Sequence, residues 1–231
     1  SPYGMGVEAL MSGLRDGRSA VVDMSATWRD AVPGMTCMVG APLAEPLNPK
    51  QIDRRYRRSM GETAMLATLA AQEAVGQAGL DEAALKTGRT GVSFASTTGS
   101  THSMAEAFGA YAQKRFLQDM SSGAFFQIMS HTCAANVAHA LGICGRVISP
   151  DAACASSTLA IGLGFEAIAE GRQDVMVCGG ADELHPLVTA CFDLVQASSH
   201  RYNDAPDQTP RPFDRDRDGT VCGAGGGALV L

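Results

Sequence analysis

Residues 154–170 constrain the fold more than any other stretch of the chain. Leu159, Ile161, Leu163, Phe165 and Ile168 make this segment apolar nearly all round, and a helix with no polar face has to be covered on every side. Shortly after it, residues 174–178 read as a buried strand. The same alternation recurs along the sequence. Helices are expected over 6–14, 59–79, 102–117, 123–141 and 186–197, with Met60, Ala64, Leu66, Leu69 and Ala70 as the apolar face of the second. Strands are expected over 36–41, 92–95, 146–149 and from Val221 onward. Such alternation predicts an α/β fold with a sheet buried on both faces. The opening residues, Ser1 to Gly4, read as a turn whose preceding strand is missing, and the last strand ends without a cap.

Composition narrows the function classes. The 231 residues are 45% hydrophobic and only 18% charged, which excludes a disordered chain. A net charge of −6 argues against a dedicated nucleic-acid binder. No apolar run has the length of a membrane span, and no signal peptide is recognised, so a cytoplasmic protein is expected. The seven cysteines, at 37, 133, 144, 154, 178, 191 and 222, show neither C-x-x-C spacing nor zinc-ligand spacing. Neither a metal nor any other cofactor is expected. Gly4, Gly6 and Ala9 have the spacing of a dinucleotide fingerprint but no strand before them, and no G-x-S-x-G occurs.

Cys154 stands apart from the other cysteines. It lies between an extended segment and the apolar helix, with Ala152, Ala153, Ala155, Ser156 and Ser157 around it. Small neighbours let the chain turn sharply and leave the sulfur accessible. The unpaired N–H groups at a helix N-terminus favour a thiolate and can donate to an oxyanion. The competing reading is a buried cysteine in a helix packed through small residues.

Asp151 to Ser157 resembles the nucleophile motif of the elongating β-ketoacyl-acyl carrier protein synthases of the thiolase superfamily. The resemblance extends through residues 171–184, Phe192 and Asp193, residues 197–206, residues 211–214, Arg217 to Gly219 and the basic segment 52–60. The all-small run 223–227 and Tyr202, Asn203 and Asp204 are similar to type I synthases, whereas Ala224 and Thr220 replace an acidic residue and a Phe.

The resemblance implies a thiolase-like fold, layered α-β-α-β-α, of which residues 1–231 form the N-terminal half. It implies that Cys154 accepts an acyl chain as a thioester and that malonyl-acyl carrier protein then condenses with it, losing CO2, in fatty acid chain elongation. A polyketide-type ketosynthase or a thiolase-like acyltransferase is the alternative. A non-catalytic partner subunit that shapes chain length is the non-enzyme alternative.

The two histidines of the family's Cys-His-His triad belong to the second half, and His102, His131, His139, His185 and His200 match neither histidine motif. Phe192 falls beside the nucleophile pocket by resemblance, or is a core Phe. Met129, Thr132 and Cys133 fall on a helix bordering the acyl tunnel and dimer interface, or are plain core. Arg54, Arg55 and Arg58 match carrier-docking positions, with Lys114 and Arg115 as a second basic patch; the bland reading is a solvated charged face. The implied partners are acyl- and malonyl-loaded acyl carrier protein and a second copy of the chain.

Overall fold

The structure, a computed structural model, describes residues 1–115 and 122–231. Its helices are α1 (Gly6–Arg15), α2 (Ser25–Ala31), α3 (Arg54–Arg57), α4 (Glu62–Gln77), α5 (Glu82–Leu85), α6 (Thr101–Lys114), α7 (Ser122–Ile128), α8 (Thr132–Leu141), α9 (Ser156–Ala169) and α10 (Pro186–Leu194). Its strands are β1 (Val22–Asp23), β2 (Val39–Gly40), β3 (Thr90–Ala95), β4 (Val147–Ile148), β5 (Val175–Asp182) and β6 (Gly225–Val230). The chain divides into two units, Leu47–Asp182 with Gly226–Leu231, and Ser1–Pro46 with Glu183–Gly225.

The first of these units is built on a sheet of order β4-β3-β5-β6. β3 runs parallel to both β4 and β5, with Ser93 opposite Ile148 and Cys178. Met176 and Leu231 exchange both backbone hydrogen bonds, at 3.1 and 2.9 Å, the signature of an antiparallel pair. Side chains alternate along β5. Met176, Cys178 and Gly180 face α9, since a Cβ at Gly164 would lie 2.2 Å from the Cys178 sulfur and one at Gly180 only 2.0 Å from the Ser157 hydroxyl. Ala181 points the other way, toward α4. α4 and α8 pack on each other and on β5 and β3. Helices thus cover both faces, as the right-handed crossover rule demands when successive parallel strands are added on opposite sides of β3.

Three expectations are corrected here. The segment 123–141 is not one helix: α7 ends at Ile128 and α8 starts at Thr132. The cause is tertiary. The loop after β3 is laid against this point, with the Ser100 N–H donating to the Gln127 carbonyl at 3.0 Å and Gly99 so close that a Cβ would sit 2.1 Å from the Ile128 oxygen.

Secondly, α4 buries Thr63, Ala64, Leu66, Ala67, Thr68, Ala71 and Val75, so Ala64 and Leu66 of the expected face are covered together with a stripe of smaller residues, while Leu69 and Ala70 are half-buried and Met60 precedes the helix. The backbones approach closely because these side chains are small.

Thirdly, α9 is not buried all round. Ser156, Ala160, Gly164 and Ala167 are covered, while Leu159 is 40% and Phe165 is 65% exposed, because within this unit only the sheet side of the helix is packed. Leu117, the expected end of α6, lies outside the described residues.

The second unit has little regular structure and is organised by side chains that bond to backbone. β1 and β2 form a two-stranded antiparallel ribbon, and the buried Trp28 of α2 fits over Gly40, where a Cβ would come within 2.6 Å of the ring. Asp193 of α10 accepts from the Thr36 N–H at 2.6 Å and from its hydroxyl at 2.7 Å. Asn203 accepts from the Met38 N–H at 2.9 Å and donates to the Thr36 carbonyl at 2.8 Å. Asp218, with a side chain only 4% exposed, accepts from the Ser199 hydroxyl and from the N–H groups of His200 and Arg201, all within 2.9 Å. Among the described residues no helix is long and apolar enough to cross a membrane.

Candidate active site

β4 ends at Ile148, and the chain then turns within a few residues into α9. The loop lies at the carboxyl ends of parallel strands, where open α/β sheets place their sites. Ala153–Ala155 form a single 3-10 turn that runs directly into Ser156. Ala153 has φ +48°, a left-handed conformation that a residue with a Cβ seldom adopts.

Cys154 sits in the middle of the turn and is exposed. It precedes α9 in the 3-10 turn, not in the helix itself. The Ala152 N–H donates to the Ser156 hydroxyl at 2.8 Å, and the Ala153 N–H is 3.4 Å from an Asp151 carboxylate oxygen. The other Asp151 oxygen accepts from the Ser130 hydroxyl at 3.4 Å. The sequence pattern marks Cys154 but none of Ser130, Asp151 and Ser156 as its supports.

The Ser130–Asp151 bond brings the turn between α7 and α8 to the nucleophile loop. Met129 lies in that turn and is 41% exposed, a correction to its expected place on a helix, made necessary by the same break at Ile128. Thr132 and Cys133 open α8; Thr132 bonds the Met129 carbonyl at 2.6 Å, and the Cys133 sulfur lies 3.9 Å from the Ala95 carbonyl, at the carboxyl end of β3. Met129, Thr132 and Cys133 therefore do gather at the strand ends that carry the Cys154 loop. Phe192 belongs to the other unit, half-buried on α10.

The thiols divide by environment. Burial, assisted by the charge of Asp182, pushes Cys133 up to about 12; burial pushes Cys178 up to about 12 as well. Cys37 is raised for the same reason. A thiolate does not form at such sites near neutral pH. Cys144, Cys154 and Cys191 are exposed, and of these three only Cys154 lies in a turn leading into a helix at strand carboxyl ends.

The five histidines have other places. His139 stacks edge-on against Tyr56 at 4.8 Å, His185 caps α10 by accepting the Leu187 N–H, His200 lies 3.4 Å from the Ser198 carbonyl, His131 precedes α8, and His102 is exposed on α6. Among the described residues no three His, Cys, Asp or Glu side chains gather into a group that could hold a metal ion.

The arginine run forms the short helix α3, capped by Asp53, whose carboxylate accepts the Arg55 N–H and pairs with its guanidinium at 3.0 Å. That pairing holds Asp53 below the usual carboxylate range. Arg54, Arg55 and Arg58 are exposed and together line an open concavity. Tyr56, packed with Ile52, Met60 and Ala64, anchors the helix beneath them. Lys114 ends α6 and Arg115 follows with φ +55°; neither lines the concavity of the three arginines.

The sequence matches the family described as "Beta-ketoacyl synthase, N-terminal domain" over residues 1–231. It is 38% identical over 186 residues to a 3-oxoacyl-[acyl-carrier-protein] synthase 1 of Haemophilus influenzae, covering 80% of this chain and 46% of the relative. The fold is similar to the crystal structure of a beta-ketoacyl synthase from Burkholderia phymatum STM815, with a TM-score of 0.92 and 37% identity, over 100% of this chain and 56% of that one. It is also similar, with a TM-score of 0.83 and 25% identity over 100% and 55% of the two chains, to a type II PKS ketosynthase solved in complex with its acyl-carrier protein. The chain spans about half the length of the curated relatives it matches. The fold is thiolase-like, and the chain belongs to the beta-ketoacyl synthase family, as its N-terminal domain.

Proposed function

We propose that the protein is a β-ketoacyl-acyl carrier protein synthase of fatty acid chain elongation, with Cys154 as its nucleophile. The observation that carries this reading is the exposed Cys154 in a strained turn feeding the N-terminus of α9. The sulfur attacks the carbonyl of an acyl thioester. A new C–S bond forms, the carrier's C–S bond breaks, and the departing thiolate takes up the proton that Cys154 gives up. Sulfur suits this step because it is both a strong nucleophile and a good leaving group. The Cys154 N–H serves as a donor to the oxyanion, an interaction worth about 3 kcal/mol in such sites. Malonyl-carrier protein then loses CO2, the electron pair of the broken C–C bond attacks the acyl-enzyme carbonyl, and the Cys154 thiolate leaves. Stabilising that enolate falls to the two histidines the family resemblance assigns to the second half.

The partner in this reading is acyl carrier protein, in support of which stand the name of the Haemophilus relative and the carrier complex of the type II PKS neighbour. Arg54 and Arg58, exposed and with no carboxylate partner among the described residues, offer the charge that an acidic carrier needs at close range. Lys114 and Arg115 form a second patch. Met129, Thr132 and Cys133 border the acyl pocket, and the working enzyme is a cytoplasmic homodimer. A second reading, a polyketide-type ketosynthase, draws on the likeness to the type II PKS neighbour; a chain-length-shaping subunit is disfavoured by the presence of Cys154.

Mass measurement of the intact protein after incubation with acyl-carrier protein tests the nucleophile. Cys154→Ala is expected to abolish the covalent acyl adduct while leaving unfolding within about 1 kcal/mol of the parent; an adduct that persists removes Cys154 from the role. Reversing Arg54, Arg55 and Arg58 to Glu is expected to slow acylation from the carrier, with a salt dependence, and to spare acylation from a small thioester. Equal loss with both donors assigns the arginines to the fold instead.

A further inference from the structure

The nucleophile turn contains a feature that its neighbours do not explain. Ser156 is the first residue of α9 and is 2% exposed, yet its hydroxyl does not cap the helix ahead of it. It reaches back and accepts the N–H of Ala152 at 2.8 Å. The bond spans the three residues Ala153, Cys154 and Ala155 and closes them into a ring around the cysteine. Within that ring Ala153 is held at φ +48°, and Ala155 donates to the Ala152 carbonyl at 3.0 Å. Both polar groups of Ala152 are therefore fastened from the far side of Cys154. Without the Ser156 oxygen the Ala152 N–H loses its partner, and a left-handed alanine has less to keep it from relaxing toward ordinary backbone angles.

Two further contacts fix where Ser156 stands. Ser157 beside it packs on Gly180, where any Cβ would lie 2.0 Å from its hydroxyl, and Gly164 two turns on packs on Cys178 at similarly close range. The start of α9 is thus seated on β5. The reach-back bond passes that fixed position on to the Cys154 backbone. From the other side, Asp151 bonds the Ala153 N–H and the Ser130 hydroxyl at 3.4 Å each, longer bonds from an exposed residue, so the short bond to the buried Ser156 is the dominant constraint.

We infer that Ser156 is the positioning residue of the nucleophile turn, fixing the Cys154 sulfur and N–H in the geometry for attack on the thioester by accepting the Ala152 N–H. This rests on the proposed role of Cys154. Displacement of a reacting atom by about 1 Å can cost on the order of 100-fold in rate, so the loss of the pin belongs in kcat and not in substrate binding.

The test compares Ser156→Thr with Ser156→Val in the full chain. The two side chains have the same shape and differ in the hydroxyl, so any strain from the added methyl is common to both. Acylation by hexanoyl-N-acetylcysteamine, a small thioester that bypasses carrier docking, is followed by intact mass, with folding of each variant verified by near-ultraviolet circular dichroism. The Val variant is expected to acylate at least about tenfold more slowly than the Thr variant at saturating thioester, with KM within about twofold. Equal kcat for Thr and Val overturns the inference, as does a difference confined to KM. Cys154→Ala in the same assay separates the two levels of argument. If it still forms the adduct, the nucleophile reading itself fails; if it forms none while Thr and Val match, only the role of Ser156 fails.

Discussion

The two units of the chain reach order by different means. In the sheet-bearing unit, backbones touch through absent side chains: Gly164 against Cys178, Gly180 against Ser157 and Gly99 against Ile128. In the other unit, loops are pinned by carboxylates and amides, with Asp193 and Asn203 holding the segment Thr36 to Met38 and Asp218 holding Ser199 to Arg201. Close packing fixes position in every direction and tolerates no added atom. A carboxylate pin fixes a few backbone groups and depends on its charge. The candidate nucleophile lies in the first kind of structure, where a small error in position costs most.

The largest stability effect is therefore expected from one added methyl in the packed unit. In Gly164→Ala the new Cβ meets the buried Cys178 sulfur at 2.2 Å, and helix and strand have to separate, at a cost of about 3 kcal/mol. Denaturant unfolding of Gly164→Ala and of the double variant Gly164→Ala/Cys178→Ala sharpens the attribution. Removal of the sulfur is expected to recover part of the loss, and a strictly additive pair would mean that the clash lies elsewhere.

An intermediate effect is expected from the strongest pin. Asp218→Ala leaves the backbone N–H groups of His200 and Arg201 without their acceptor and takes one of two partners from the buried Ser199 hydroxyl, a loss of about 2 kcal/mol. This contribution is also tied to pH. Burial alone would raise the Asp218 carboxyl, but the Arg201 N–H, the Ser199 hydroxyl and the His200 N–H outweigh it and hold the group below its ordinary value. Its folded value thus lies beneath the unfolded one of about 3.9, so the stabilisation is complete above that and disappears as pH falls through the folded value. Unfolding curves between pH 7 and pH 3 are expected to show Asp218→Asn losing less stability on acidification than the parent. Parallel curves would show that the carboxylate does not act through its charge.

How far these two modes could be read from the amino acids differs. The strands at 92–95 and 174–178 and the helices α4 and α9 were legible because apolar runs bounded by Gly and polar residues have few alternatives. The Cys154 turn was legible because alanines and serines crowd a cysteine just before a helix. What was hidden depended on neighbours distant in sequence. The break at Ile128 comes from Gly99 and Ser100, and an all-round apolar helix gives no sign of which face its own unit covers. α3 was hidden for a local reason: four residues with three arginines carry no hydrophobic period, and only Asp53 as a cap marks the start. Ser156 left no signal at all, since a serine after Cys-Ala reads as an ordinary helix start.

The smallest effect is expected where the packed unit uses a polar pin of its own, on its surface. Arg89 donates to both oxygens of Asp174 and to the carbonyls of Gly171 and Arg172, joining the start of β3 to the start of β5. Judged by partners alone it matches Asp218. It differs in exposure, with 47% of the Arg89 side chain and 62% of that of Asp174 open to solvent. Water competes for the same groups and salt screens their charges. Arg89→Lys, which keeps the charge but loses the planar fork, is expected to destabilise less than Asp218→Ala, and the deficit is expected to shrink in 1 M salt. Thermal unfolding of the parent and of both variants at low and high salt measures this directly. An Arg89→Lys loss as large as that of Asp218→Ala and insensitive to salt would break the distinction, since an exposed polar pin in the packed unit would then matter as much as a buried one in the other.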